Sequence, residues 1–189
     1  MIPLLRRIIK TGIVTEPVPR TPPHHPREGG GVVTGVDRLS DEILHILGRA
    51  LTIREVDAGS CNGCELEIHA LNNPYYNIEG HGIKFVASPR HADMLLITGP
   101  VTKNMEHALK VAWDCTPDPK LVVAVGDCGC GCGVFGESYA SCGAVENIIP
   151  VDVRVPGCPP TPLALMQGIL AAVATPRSGG ARPGQAPST

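Results

Sequence analysis

Leu121-Val122-Val123-Ala124-Val125 is a run of five apolar residues that ends abruptly in Gly126-Asp127-Cys128. Without polar alternation, so short a run suits a strand covered on both faces, as strands of parallel sheets are. Leu51–Val56, Ile83–Ala87 and Met94–Thr98 read as further strands, and Val151–Val155 as another with apolar–polar alternation. Cys64–Leu71, Asn104–Ala112 and Pro162–Val173 read as helices. Ser40 caps one more through Leu47, with Asp41 and Glu42 in its first turn. Strands alternating with helices predict an α/β fold with an open, mainly parallel sheet.

The two ends of the chain read differently. Leu4, Leu5, Ile8 and Ile9 fall at helical spacing beside Arg6, Arg7 and Lys10, and Gly12 and Pro17 stop that pattern. So short a piece needs a partner or a membrane surface to lie against, or else frays. Pro17–Gly31 is Pro-rich and then Gly-rich, a linker composition. The expected organisation is a basic apolar segment and linker over residues 1–39, one α/β domain over 40–173, and a flexible Pro/Gly/Ser/Ala tail over 174–189.

Charge and cysteine content exclude several classes of function. With 16 basic and 18 acidic residues the net charge is −2, so no global basic field points to nucleic acid. No apolar run reaches the roughly 18 residues of a membrane span. The N-terminus lacks the uninterrupted apolar core and small-residue cleavage site of a secretory signal. A cytoplasmic setting follows as the expectation, and there eight cysteines point to metal or redox chemistry rather than disulfides.

Their positions sharpen the point. Leu51–Val56 runs into a loop holding Cys61 and Cys64, Leu121–Val125 into Cys128, and Val151–Val155 into Cys158. Ligands of open parallel sheets bind at the carboxyl ends of strands. Four thiolates brought to one such edge make a Cys₄ site, for zinc or for an iron–sulfur cluster. One Cys-x-x-Cys knuckle with two lone cysteines on separate Gly- and Pro-flanked loops fits the cluster better than a zinc ribbon. Cys130 and Cys132 share the Cys128 run, so Cys130 is an alternative to Cys128 at this point. Cys115 ends a helix and reads as a small apolar residue. Cys142 sits in a Ser-Cys-Gly turn with no evident partner.

Other signals are weaker. Glu65 and Glu67 follow the knuckle, either as favourable charges near a helix N-terminus or as carboxylates relaying protons beside a redox centre. His69, His81, His91 and His107 have no paired ligand spacing. Gly126-x-x-Gly129 lacks the Lys-Ser or Lys-Thr ending of a phosphate loop. No hydrolase arrangement stands out.

Cys61-Asn62-Gly63-Cys64-Glu65-Leu66-Glu67, Ser88–Asp93, Gly99-Pro100-Val101-Thr102, Gly126-Asp127-Cys128 and Ile149–Pro160 together resemble the complex I 20 kDa subunit family. That family also contains the small subunits of energy-converting membrane-bound NiFe-hydrogenases and formate hydrogenlyases. The resemblance spans about residues 50–173 and implies a flavodoxin-like α/β fold, helices on both sheet faces, holding one [4Fe–4S] cluster. The ligands it implies are Cys61, Cys64, Cys128 and Cys158. It also implies a role for Glu67, which matches a family glutamate three residues after the second cysteine.

The complex I subunit usually has adjacent cysteines at the first pair, and Cys61-x-x-Cys64 resembles the hydrogenase branch instead. Periplasmic uptake hydrogenases carry a further cluster-bearing half, whereas residues 159–189 contain no cysteine. The resemblance therefore implies an electron-transfer small subunit of a membrane-bound oxidoreductase complex, not catalytic alone. Its implied partners are a hydrogenase large subunit or complex I 49 kDa-like subunit, a ferredoxin-like iron–sulfur subunit and a membrane arm. Its implied place is the inner face of the cell membrane. The rival readings are a quinone- or ferredoxin-linked relative without nickel, and a zinc-stabilised interaction module.

Overall fold

The computed structural model describes residues 49–136 and 138–174. The segment 1–39, the helix expected after Ser40 and the tail beyond residue 174 lie outside the described residues. Among those described, β1 (Leu51–Asp57) leads to α1 (Gly63–Ala70), β2 (Ile83–Phe85), β3 (Met94–Thr98) and β4 (Val101–Thr102). Then come α2 (Lys103–Cys115), β5 (Leu121–Val125), α3 (Gly126–Gly131), β6 (Ser141–Gly143), β7 (Val153–Val155) and α4 (Pro162–Ala174).

Five strands form one parallel sheet in the order β2-β1-β3-β5-β7. The chain moves outward from β1 to β2, then crosses back over β1 to β3. The order therefore reverses between β1 and β3, the flavodoxin-like arrangement in which a ligand crevice opens at the strands' carboxyl ends.

Period-two alternation divides the core between the two faces. Met94 and Leu96 of β3, with Leu121, Val123 and Val125 of β5, join Ile68 of α1 and Leu165, Ile169 and Ala172 of α4 on one face. Leu95, Ile97, Val122 and Ala124 join Leu109, Ala112 and Trp113 of α2 on the other. Every residue of β3 and β5 is buried, as the continuous apolar runs require. Gly168 of α4 lets that helix lie flush on β7: a Cβ there would stand 2.2 Å from Val155 Cγ2.

At the amino edge two aspartates extend the ladder with their side chains. Asp93 N–H donates to Thr52 O at 2.8 Å while Asp93 Oδ2 accepts from Thr52 N–H at 3.1 Å. Asp152 N–H donates to Val122 O at 2.9 Å while its Oδ2 accepts from Val122 N–H at 2.7 Å. This explains why the strand expected over Val151–Val155 begins only at Val153: a carboxylate occupies the first ladder position. The strand expected through Ala87 stops at Phe85, ahead of Ser88-Pro89, where a short 3₁₀ turn begins. Ala174, expected in the tail, is the last residue of α4. The antiparallel pair β4–β6 and the six-residue helix α3 are absent from the sequence expectation.

Candidate metal centre

Three loops at the carboxyl edge of the sheet carry the cysteines. After β1, Asp57 Oδ1 accepts from the N–H groups of Gly59 and Ser60, at 2.8 and 2.9 Å. Ser60 Oγ then accepts from Asn62 N–H at 3.1 Å. These bonds turn the chain through a left-handed Asn62 into α1, leaving Cys61 exposed and Cys64 buried in the first turn. After β5, Gly126 takes φ +80° and the chain winds into α3 with Cys128 buried. After β7, Gly157 takes φ +136° and presents an exposed Cys158.

The four thiols lie within one another's electrostatic reach. Burial pushes the Cys64 thiol up to about 12, and the Glu65 carboxylate and then Cys128, Cys61 and Cys158 push the same way. The Cys128 thiol is raised chiefly by burial. A hydrogen bond from Val134 N–H opposes this, and Cys158, Cys61 and Asp127 add to it. So three loops set Cys61, Cys64, Cys128 and Cys158 at one edge of the sheet, across 97 positions of chain. Among the described residues, no three or more His, Cys, Asp or Glu side chains close on a single metal ion.

Backbone without side chains walls the sulfurs. A Cβ on Gly126 would stand 2.7 Å from Cys64 Sγ, and one on Gly133 would stand 2.6 Å from Cys128 Sγ. Gly63 faces Cys61 Sγ and the ring of Pro159 at 3.5 and 3.9 Å, measured the same way. Four thiol donors in a glycine-walled cradle are the donor set of an iron–sulfur cluster or a structural zinc. Both bind thiolate, so loading either one releases protons from Cys64 and Cys128.

A buried acid adjoins the thiols. Glu65 is only 7% exposed, and neither of its carboxylate oxygens has a hydrogen-bond partner. Glu67, the residue the sequence favoured, is half-buried on the same helix. The pattern that marks Glu65 is Ile68 three positions on, which puts it over the core.

The remaining cysteines have other surroundings. Cys130 Sγ donates to Ala124 O at 3.7 Å and packs with the α2-side core. Cys132 is left-handed at the end of α3, and Cys115 ends α2, half-buried. Cys142 corrects the sequence reading: it lies in β6, not a turn, and its thiol donates to Glu106 Oε2 at 3.4 Å. The missed signal is that β4 and β6 pair over only two positions, too few for periodicity to register.

Large apolar side chains stay exposed close in sequence to the cysteines: Leu66 after Cys64, Val134 and Phe135 after Cys128, Leu163 after Cys158. Among the described residues no helix is long and apolar enough to cross a membrane.

Comparison with known proteins shows the family. The family model for "NADH ubiquinone oxidoreductase, 20 Kd subunit" matches residues 61–172. A Pyrococcus furiosus protein described as "Probable membrane-bound hydrogenase subunit mbhJ" is 47% identical over 132 residues, 70% of this chain and 79% of that protein. Formate hydrogenlyase subunit 7 of Escherichia coli is 41% identical over 154 residues, 78% of this chain and 60% of that one. Among solved structures, a chain of the archaeal membrane-bound sulfane sulfur reductase aligns with TM-score 0.60 at 31% identity, covering 71% of this chain and 77% of its own.

Proposed function

We propose, from the premise that this chain belongs to the NADH ubiquinone oxidoreductase 20 kDa subunit family and is a subunit of an oxidoreductase complex of the hydrogenase or NADH-quinone type, that it is the electron carrier of a membrane-bound hydrogenase or formate hydrogenlyase. It holds one [4Fe–4S] cluster on Cys61, Cys64, Cys128 and Cys158. The observation that carries this reading is the placement of four cysteines, from the loops after β1, β5 and β7, at one edge of the sheet. The relatives named for membrane-bound hydrogenase and formate hydrogenlyase support the choice of complex.

When bound, such a cluster supplies one-electron transfer. This chain's residues do the rest. The thiols release their protons and hold the group, and the glycine walls bring backbone against it without side chains between. The exposed Leu66, Val134, Phe135 and Leu163 offer an apolar rim to a large subunit. Glu65 is desolvated beside Cys64, and Glu67 is half-exposed and available for proton exchange with the partner. A ferredoxin-like subunit and a membrane arm complete the assembly. The chain lies peripherally on the inner face of the cell membrane.

A second reading keeps the family and changes the acceptor. An NADH-quinone oxidoreductase component from Desulfovibrio desulfuricans is 41% identical over 124 residues, which favours a quinone-linked complex without nickel. Nickel in the purified complex decides between the two.

The test is anaerobic iron, sulfide and metal analysis of the purified complex, with EPR of the reduced state. About four irons and four sulfides attributable to this chain support the reading. Stoichiometric zinc in their place leaves a structural module instead.

A further inference from the structure

Asp127 faces Gly157 with both its backbone and its side chain. Asp127 N–H donates to Gly157 O at 2.9 Å, and Asp127 Oδ1 accepts from Gly157 N–H at 2.8 Å. The closed ring ties the loop carrying Cys128 to the loop carrying Cys158. The same device recurs at Asp93–Thr52 and Asp152–Val122. Those two lie at the amino edge of the sheet, where they only start strands. The Asp127 ring lies at the carboxyl edge, where Asp127 directly precedes Cys128 and Gly157 directly precedes Cys158. A Cβ on Gly126, the preceding residue, would meet Cys64 Sγ at 2.7 Å and Gly157 O at 3.5 Å.

We propose that Asp127 is a positioning residue with two separable effects on the group held by the four cysteines. As a hydrogen-bond acceptor it fixes the spacing of Cys128 and Cys158. As a fixed negative charge it lowers the reduction potential of that group. This rests on the iron–sulfur reading above. The sign follows from charge: reduction adds an electron to an already anionic centre, so a carboxylate beside it opposes reduction. Removing the charge raises the potential. Removing the acceptor releases Gly157 N–H and loosens the loop of Cys158.

Two substitutions separate the effects. Asp127→Asn keeps a carbonyl oxygen to accept from Gly157 and removes the charge. Asp127→Ala removes both. Asp152→Asn is the control: it neutralises an aspartate in the same kind of ring at the opposite edge. The purified complex is examined by iron and sulfide content, EPR redox titration, and hydrogen exchange at the Gly157 amide.

Asp127→Asn is expected to keep full iron and a protected Gly157 amide while its midpoint potential moves upward. Asp127→Ala is expected to lose Gly157 protection and part of its iron. Asp152→Asn is expected to leave the potential unmoved. A wild-type potential in Asp127→Asn overturns the electrostatic effect, as does an equal shift in Asp152→Asn. Full iron with a protected amide in Asp127→Ala overturns the clamp. If Asp127→Ala fails to assemble, the Asn variant and its control still decide the charge effect, and loss of Gly157 protection in Asn overturns the clamp as drawn. Wild-type complex without iron or sulfide removes the reading beneath the proposal, and that result is separate because the exchange data need no cluster.

Discussion

Gly126 lies so close to Cys64 that a Cβ on the glycine would stand 2.7 Å from the sulfur. No side chain fits there, and the φ of +80° is one that only glycine adopts freely. The turn after β5 is shaped around a sulfur that belongs to the loop after β1.

Gly126→Ala therefore forces either the turn or the Cys64 sulfur to move. We expect a loss of about 1–3 kcal/mol in stability, together with reduced metal content. Gly133→Ala, at φ +50° and 2.6 Å from Cys128 Sγ, should act alike. Gly82→Ala is the comparison: its φ is +77° but no atom lies within 4 Å of the added carbon. It should cost stability without touching metal content. Thermal unfolding and metal analysis of the three variants check this. Equal metal loss in all three would show that strain, not sulfur contact, is at work.

Cys128→Ala and Cys130→Ala separate the two cysteines that the sequence left ambiguous. Cys130 donates to Ala124 O and packs into the core, whereas Cys128 shares a field with Cys61 and Cys158. The first variant should lose the iron signal, and the second should keep it with a modest loss of stability. EPR of the reduced complex reads the difference, and the reverse outcome would reassign the ligand.

Glu55→Gln should stabilise the protein at neutral pH and do little in acid. Burial raises the Glu55 carboxyl above its ordinary 4.5, with Glu65 and Asp57 pushing the same way and His69 and Arg54 opposing. A raised acid favours its protonated form in the folded state. The stability it contributes is present below pH 4.5 and lost as pH rises through the higher folded value. Denaturation midpoints of the two proteins should converge near about pH 4 and separate, with Gln the higher, toward about pH 8. A constant offset would mean that packing, not ionisation, is responsible.

Gly168→Ala should lift α4 from β7. The added carbon would stand 2.2 Å from Val155 Cγ2, and a β-branched side chain on a strand has little room to turn aside. Overpacking of this kind costs about 1–3 kcal/mol. Because β7 leads directly to Gly157 and Cys158, hydrogen exchange should quicken there as well as in α4. Change confined to α4 would show that β7 is held by β5 alone.

The sheet was legible because its central strands are runs of apolar residues, broken only by the terminal Thr98: Met94–Thr98 and Leu121–Val125 are strands at their expected ends. That three strands each run into cysteine at the sheet's carboxyl edge was legible from the strand-then-cysteine order, which left Cys130 open beside Cys128. What escaped the sequence was shorter than one period of its pattern. β4 has two residues and β6 three, and α3 is a six-residue helix of Gly, Asp and Cys with no apolar stripe. The start of β7 escaped for a different reason, since Asp152 replaces a backbone partner with a carboxylate. Between the two glutamates, charge and position were the same in the sequence. Only packing over Ile68 sets Glu65 inside and leaves Glu67 at the margin.

The strand order also fixes when the centre can come into being. Cys158 lies beyond β7, and among the described residues β7 pairs with β5 alone. A nascent chain emerging from the ribosome thus holds Cys61, Cys64 and Cys128 for some time before the fourth thiol has anywhere to dock. The loop after β1 waits on pairings made much later, as expected of non-local parallel sheets. A group held on all four thiols, as proposed, closes only after β7 has paired with β5.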